Sequence, residues 1–262
     1  MLTVRDRRFD IDAAAVGEWR SCEPVAAAFY DSLSALFPQG ERFFMDSVRR
    51  YRDAVGGELA GQVRQFIAQE ALHTREHLAF NAQVEASGHD IAPLETRTRR
   101  ELDRVRVRSD VAQLATTVAL EHFTAVLAHH LIAHPEHLAA APLETRRLWL
   151  WHAAEEIEHK AVAFDVLAAV TSGWSPLRRW AFRSWRYLDT LWRLLRVMVP
   201  NFVELRRQHD PGARPLAELA LFLLGRPGLL RRMAPELAKF FAPGFHPWAL
   251  EDAALAEAAL AA

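Results

Sequence analysis

One signature is written twice along this chain, and it constrains the fold more than any other feature. A glutamate and a histidine stand three residues apart at Glu70 and His73, in QEALH, and again at Glu156 and His159, in EEIEH. On an α-helix that spacing puts both side chains on one face, about one turn apart, within reach of a single metal ion. One such pair is common by chance. Here each pair follows another helix-forming segment that carries a candidate glutamate, Glu41 before the first and Glu121 before the second. The order Glu, Glu-x-x-His, Glu, Glu-x-x-His supplies donors for two metal ions held between four helices.

The intervals support this reading. Glu41 and Glu70 are 29 residues apart, and Glu121 and Glu156 are 35 apart. An antiparallel helix pair with ligands at one height needs two half-helices and a loop, about 25 to 40 residues. Gly56-Gly57 supplies a turn inside the first interval, while His134-Pro135 and Pro142 break the second. Two helical hairpins facing each other are predicted.

Composition agrees with an all-α chain. Of the 262 residues 51% are hydrophobic, Gly and Pro are modest at 11 and 13, and β-branched runs are nearly absent. The length suffices for a sizeable core. The single Cys22 excludes an internal disulfide and, with no apolar N-terminal signal segment, points to the cytoplasm. The net charge of −1 is unevenly placed. Trp174 to Arg232 holds twelve arginines against four acids, a local +8, so the remainder, with the candidate ligands, carries about −9.

Along the chain, residues 1–23 read as an irregular polar arm, and helix begins near Pro24. The first ligand helix is predicted over Pro38–Val55 and the second over Glu58–Ser87. The Arg-rich ETRTRRELDRVRVR then reads as a solvated stretch before a third helix, Val111–His134. A fourth runs over Leu143–Thr171. The basic, tryptophan-rich stretch 174–207 alternates Trp180, Trp185, Leu188, Trp192 and Leu195 with arginines. It suits an interfacial helix, but a core-facing amphipathic helix with solvated arginines is the reading favoured here. Domain boundaries fall at 1–173 for arm and bundle and 174–262 for an appended helical layer.

Glu70, His73, Glu156 and His159 head the candidate ligands, because they lie within otherwise apolar helix faces where an unpaired carboxylate is costly. Glu121 is the only acid in ATTVALEHFTAVLAHH. Glu41 completes the set, although an acid there also suits a helix N-terminus. His152, four residues before Glu156, reads equally as an extra ligand or a hydrogen-bonding neighbour. His77 reads as a supporting or surface residue, and His122, His129 and His130 as helix-face residues. Gln69 and Glu155 each precede a ligand glutamate and could accept the free N–H of a ligand histidine across the bundle.

These residues resemble the ferritin-like di-iron carboxylate superfamily of ribonucleotide reductase small subunits, bacterial multicomponent monooxygenases and arylamine N-oxygenases. The resemblance implies a ferritin-like four-helix bundle holding two iron ions, with manganese or a mixed iron–manganese pair as alternatives. Several of its members place an acid before the ligand glutamate, as Glu155 stands here, and the N-oxygenases add a histidine where His152 stands. Gln69 departs from that pattern. Over nearly its full length the chain also resembles the bacterial family labelled "predicted metal-dependent hydrolase", through FPQGERFF, FIAQEALHTREH, ALEHFTA, WHAAEEIEHKAVAFDV and PGFHPW.

Two chemistries then compete. The donor set is more typical of O2 activation, so an oxygenase or oxidase acting on a small apolar substrate is favoured over a metal-dependent hydrolase. A non-catalytic metal protein ranks third. Implied partners are the substrate, an electron-donor protein, a second copy in a homodimer and a membrane surface touching 174–207. No nucleic-acid recognition motif occurs.

Overall fold

Proline opens the first turn of five of the helices below, where its missing N–H has no intrahelical partner to lose. The computed structural model describes residues 2–261, which form no strand. The helices are α1 (Ala13–Cys22), α2 (Pro24–Ser34), α3 (Phe37–Arg49), α4 (Gly57–Ala86), α5 (Ala92–Arg106), α6 (Asp110–Ala133), α7 (Leu143–His159), α8 (Val162–Val170), α9 (Pro176–His209), α10 (Pro215–Ala220), α11 (Leu229–Lys239) and α12 (Ala253–Ala261). Short 3₁₀ turns lie at Pro135–Leu138 and Pro247–Ala249.

The four helices carrying the predicted ligands touch around a ring: α3 packs on α4, α4 on α7, α7 on α6 and α6 on α3. Two apolar clusters sandwich the middle of this ring. Along α4, Val63 and Phe66 belong to one cluster and Phe80 and Val84 to the other, with Glu70, His73 and His77 between them. Along α6, Glu121 separates Leu114–Ala119 from Val126–Leu131 in the same way. The polar side chains are therefore held at mid-height by packing on both sides. α6 is apolar enough by composition to cross a membrane, but 83% of its apolar window is buried by neighbouring helices.

Four local expectations are corrected. α3 ends at Arg49, six residues before Val55, because the chain turns through 50–54 to reach Gly57 at φ +59°. The Arg-rich stretch is the helix α5, which buries Leu94, Thr98, Leu102 and Val105 once per turn and leaves most arginines outside. The arm contains α1, and its first residues cross the middle of α4 and the C-terminal half of α7. The fourth ligand helix breaks at Lys160-Ala161 into α7 and α8.

The largest departure is the orientation of α9. Three of its arginines turn inward: Arg186 donates to Thr116 Oγ1 (2.8 Å), Arg183 to the Ala242 carbonyl (2.7 Å), and Arg206 pairs with Glu218 (2.7 Å). Arg178, Arg196 and Arg207 stay exposed. Trp185 and Trp192 are instead 68% and 62% exposed, in line with Leu188 and Leu195. Solvated arginines over a buried tryptophan face is the wrong arrangement here, because carbonyls and acids on the elements beneath satisfy the guanidinium groups.

Candidate metal centre

All six carboxylate and imidazole candidates of the duplicated signature converge, fully buried, inside the ring of α3, α4, α6 and α7. Overlapping groups of donor atoms, each within 4.8 Å of one another, comprise Glu41, Glu70 and His73; Glu70, Glu156 and His159; and His73, His152 and Glu156. His159 Nε2 lies 3.2 Å from Glu70 Oε1, 3.4 Å from Glu156 Oε1 and 3.5 Å from Glu121 Oε2. His73 Nδ1 lies 3.9 Å from Glu70 and 3.8 Å from Glu156. Glu70 and Glu156 are thus common to both halves of the cluster.

Hydrogen bonds fix which imidazole nitrogens carry lone pairs. Gln69 Nε2 donates to the Thr3 carbonyl and to Glu158, both at 3.1 Å, which leaves its Oε1 to accept from His159 Nδ1 at 3.1 Å. In the neutral ring, Nε2 of His159 is then unprotonated and faces three carboxylates. Reciprocally, His73 Nε2 donates to Glu155 at 3.2 Å, and its unprotonated Nδ1 turns to the cluster. Gln69 on α4 therefore orients the histidine of α7, and Glu155 on α7 orients the histidine of α4.

A third imidazole is set by a longer relay. Ser34 Oγ donates to Asn81 (2.6 Å) and so accepts from His77 Nδ1 (2.9 Å). His77 Nε2 must then accept from His152 Nδ1 (2.6 Å). His152 Nε2 is left with a lone pair, 3.0 Å from Glu156 Oε1 and 4.0 Å from Glu41 Oε1. His152 thus faces the carboxylates with one nitrogen and His77 with the other, and the donor atoms of Glu41, His77 and His152 also lie within 4.8 Å of one another.

Among the described residues, both oxygens of Glu70 and of Glu121, Glu41 Oε1, His73 Nδ1 and His159 Nε2 have no hydrogen-bond partner. Seven buried polar atoms facing one another would each cost about 1–3 kcal/mol unsatisfied, and lone pairs at these distances repel. Cations between them satisfy all seven at once, so the residues fit a metal pair. Oxygen and imidazole donors without thiolate suit iron, manganese or zinc. Burial, then neighbouring carboxylates such as Glu121, pushes Glu70 well above the usual carboxylate range. Burial likewise raises Glu41 and Glu121. Burial, reinforced by the neighbouring His152, holds His73 well below the usual imidazole range.

The sign of the pH dependence follows. In metal-free protein these carboxyls hold protons more tightly folded than unfolded, so folding takes up protons. The stability these three contribute is present in acid and lost as pH rises above the usual carboxylate range, while His73 and His77, held neutral, cost stability below the usual imidazole range; metal affinity rises with pH. Above the usual imidazole range, from about pH 7 to about pH 9, thermal midpoints of chelator-treated protein are expected to decline, and added metal to reverse the trend. A flat metal-free profile would contradict the clustering.

Several supporting residues carried no recognised sequence signal. Thr74 Oγ1 donates to Glu41 (2.8 Å) and Thr124 Oγ1 to Glu156. Arg5 bridges Glu155 (3.3 Å) and Glu158 (2.7 Å) from about 150 residues away, and Trp151 Nε1 donates to Glu155 (3.1 Å). Burial pushes Glu155 up to about 7, with Arg5 opposing. The threonines stand one residue after His73 and three after Glu121, a readable spacing. Arg5 had none. His122, His129 and His130 lie outside the cluster: His122 packs on Tyr187 and Phe240, His129 pairs with Asp252 (3.3 Å), and His130 meets His137 (3.2 Å). Replacing Gln69 by leucine should weaken metal binding about 10- to 100-fold by freeing His159 to change tautomer. Competition titration with a chromophoric chelator reads this directly, and an unchanged affinity would remove Gln69 from the centre.

Residues 3–251 match the family model described as "Predicted metal-dependent hydrolase". No curated protein and no solved structure matches the chain. The family description gives no support to the O2-activating reading favoured by the donor set and supports the hydrolytic alternative. With nearly its whole length matched, the chain belongs to the family of predicted metal-dependent hydrolases.

Proposed function

We propose that this chain is a dinuclear-metal hydrolase built on a ferritin-like four-helix bundle. Glu41, Glu70, His73, His152, Glu121, Glu156 and His159 are its ligands. The observation carrying this reading is the three imidazole lone pairs, on His73, His152 and His159, aimed at buried carboxylates, two of which, Glu70 and Glu121, have no hydrogen-bond partner on either oxygen among the described residues. Two divalent ions bound there would supply Lewis acidity and lower the pKa of a coordinated water. Glu70 and Glu156, reached from both halves of the cluster, hold the pair together. Glu155 and Gln69 keep the histidines in the ligating tautomer, and Thr74 and Thr124 hold one oxygen each of Glu41 and Glu156. Phe66 and Trp151 stand edge-on to His159 and His73, at 5.0 and 4.9 Å, and exclude water from those flanks.

A second reading, an iron oxidase or oxygenase, is favoured by the carboxylate-rich donor set shared between two Glu-x-x-His pairs. Protein reconstituted with zinc, manganese or iron and assayed on ester, amide and phosphoester panels under argon separates the two. Turnover without oxygen supports the hydrolase. Oxygen uptake by the reduced iron form, with no hydrolysis by any metal form, would replace it.

A further inference from the structure

Two cavities lie beneath α9, and both have walls that are almost entirely carbon. The inner one, about 90 Å³, is bounded by Phe37, Gly40, Phe123, Thr124 and Leu194. It abuts the metal centre: Thr124 donates to Glu156, and the Phe37 ring stands 4.7 and 4.8 Å from the His77 and His152 rings. The outer one, about 220 Å³, is bounded by Leu127, Leu195, Met198 and Met233 and shares Phe123 and Leu194 with the inner. Leu195 also belongs to the exposed Trp185–Leu195 stripe, so the outer cavity meets the surface on an apolar face. Three other clefts, one at Trp19 and Pro227, one at Phe164 and His246 and one at Leu2 and Glu257, carry polar as well as apolar surface.

We propose that the two cavities form one passage for a linear alkyl or acyl chain, which enters past Leu195, slides between Phe123 and Leu194, and brings its reacting end to Thr124 and Gly40. A polar ligand would lose its hydrogen bonds to water without replacement along such walls. The inner space is less than half the outer, so the portion nearest the cluster must be slender, which selects a chain over a ring. The proposal rests on the metal-centre reading for its chemistry, but not for the binding itself.

Gly40 provides the test. A Cβ added there meets nothing within 4 Å, so the first atoms of a leucine side chain have room on the cavity wall, and a glycine inside α3 is replaced by a better helix former. Calorimetric titration of the metal-loaded full chain with octanoate, laurate and palmitate is expected to show affinity rising with length, by up to about fourfold per buried methylene. Gly40→Leu is expected to weaken palmitate binding at least about tenfold with metal content unchanged. Leu194→Phe, at the shared wall, should weaken the longer chains most. Affinity independent of chain length, or unaltered by both substitutions, overturns the passage. Metal-loaded protein that binds no fatty acid overturns it too and leaves the metal centre standing. Chain binding by protein that takes up no metal supports the passage and removes the metal reading instead.

Discussion

Glu70→Gln is expected to strip both metal positions and, at the same time, to make the metal-free protein more stable. Glu70 is fully buried, lies 3.2 Å from His159 and 3.9 Å from His73, and has no hydrogen-bond partner on either oxygen. Removing a carboxylate that faces the histidines of both halves of the cluster should cost more than the 10- to 100-fold typical of supporting residues, so activity should fall by more than about 100-fold. Without metal, burial and repulsion from neighbouring carboxylates disfavour its ionised form and push its pKa well above the usual carboxylate range. An amide of the same shape relieves that repulsion, and a gain of about 1–3 kcal/mol at neutral pH is expected in chelator. Urea denaturation with and without metal reads both effects. A variant that keeps its metal, or that is destabilised in both conditions, would place Glu70 outside the ligand set.

Lys160→Met is expected to cost about 3–5 kcal/mol, the penalty for orphaning one member of a buried ion pair. Lys160 sits in the break between α7 and α8, directly after His159. Its ammonium is buried, pairs with Asp252, donates to the Leu250 carbonyl at 2.7 Å and lies 4.7 Å from the Trp248 ring. The break turns this side chain toward the C-terminal segment, which the lysine ties to the metal-bearing helix. Burial lowers the lysine's pKa while Asp252 resists the fall. Because the penalty comes from the uncompensated partner, the double variant Lys160→Met/Asp252→Leu should recover most of it. A single-variant loss below about 1 kcal/mol, the value of a surface pair, would show that the tether is solvent-screened.

The ligand-bearing helices were legible because their evidence is periodic and local. α4 spans 57–86 against an expected 58–87, and α6 spans 110–133 against 111–134. The relation of Gln69 and Glu155 to histidines on the opposite helix was also readable, since metal-bound imidazoles need an acceptor behind them. The helix α5 was hidden by composition: Leu94, Thr98, Leu102 and Val105 form a stripe of one residue per turn, diluted by arginines. The outward tryptophans of α9 were not legible, because amphipathicity shows that two faces differ but not which one finds partners. Acceptors for Arg183 and Arg186 come from Thr116, Asp189, Ala242 and Phe245, and all but Asp189 lie on other elements. Arg5 reaches the site only through the three-dimensional path of the first residues. The choice between oxygen and hydrolytic chemistry was not legible for another reason, since one set of carboxylates and imidazoles supports both.

The most direct measurement is the metal content of the purified, folded chain, by elemental analysis after reconstitution with iron, manganese or zinc, beside the Glu70→Gln variant. About two ions per wild-type chain, and fewer than one in the variant, is the predicted result. A folded wild-type protein that takes up no metal from any of the three would contradict the account at its centre.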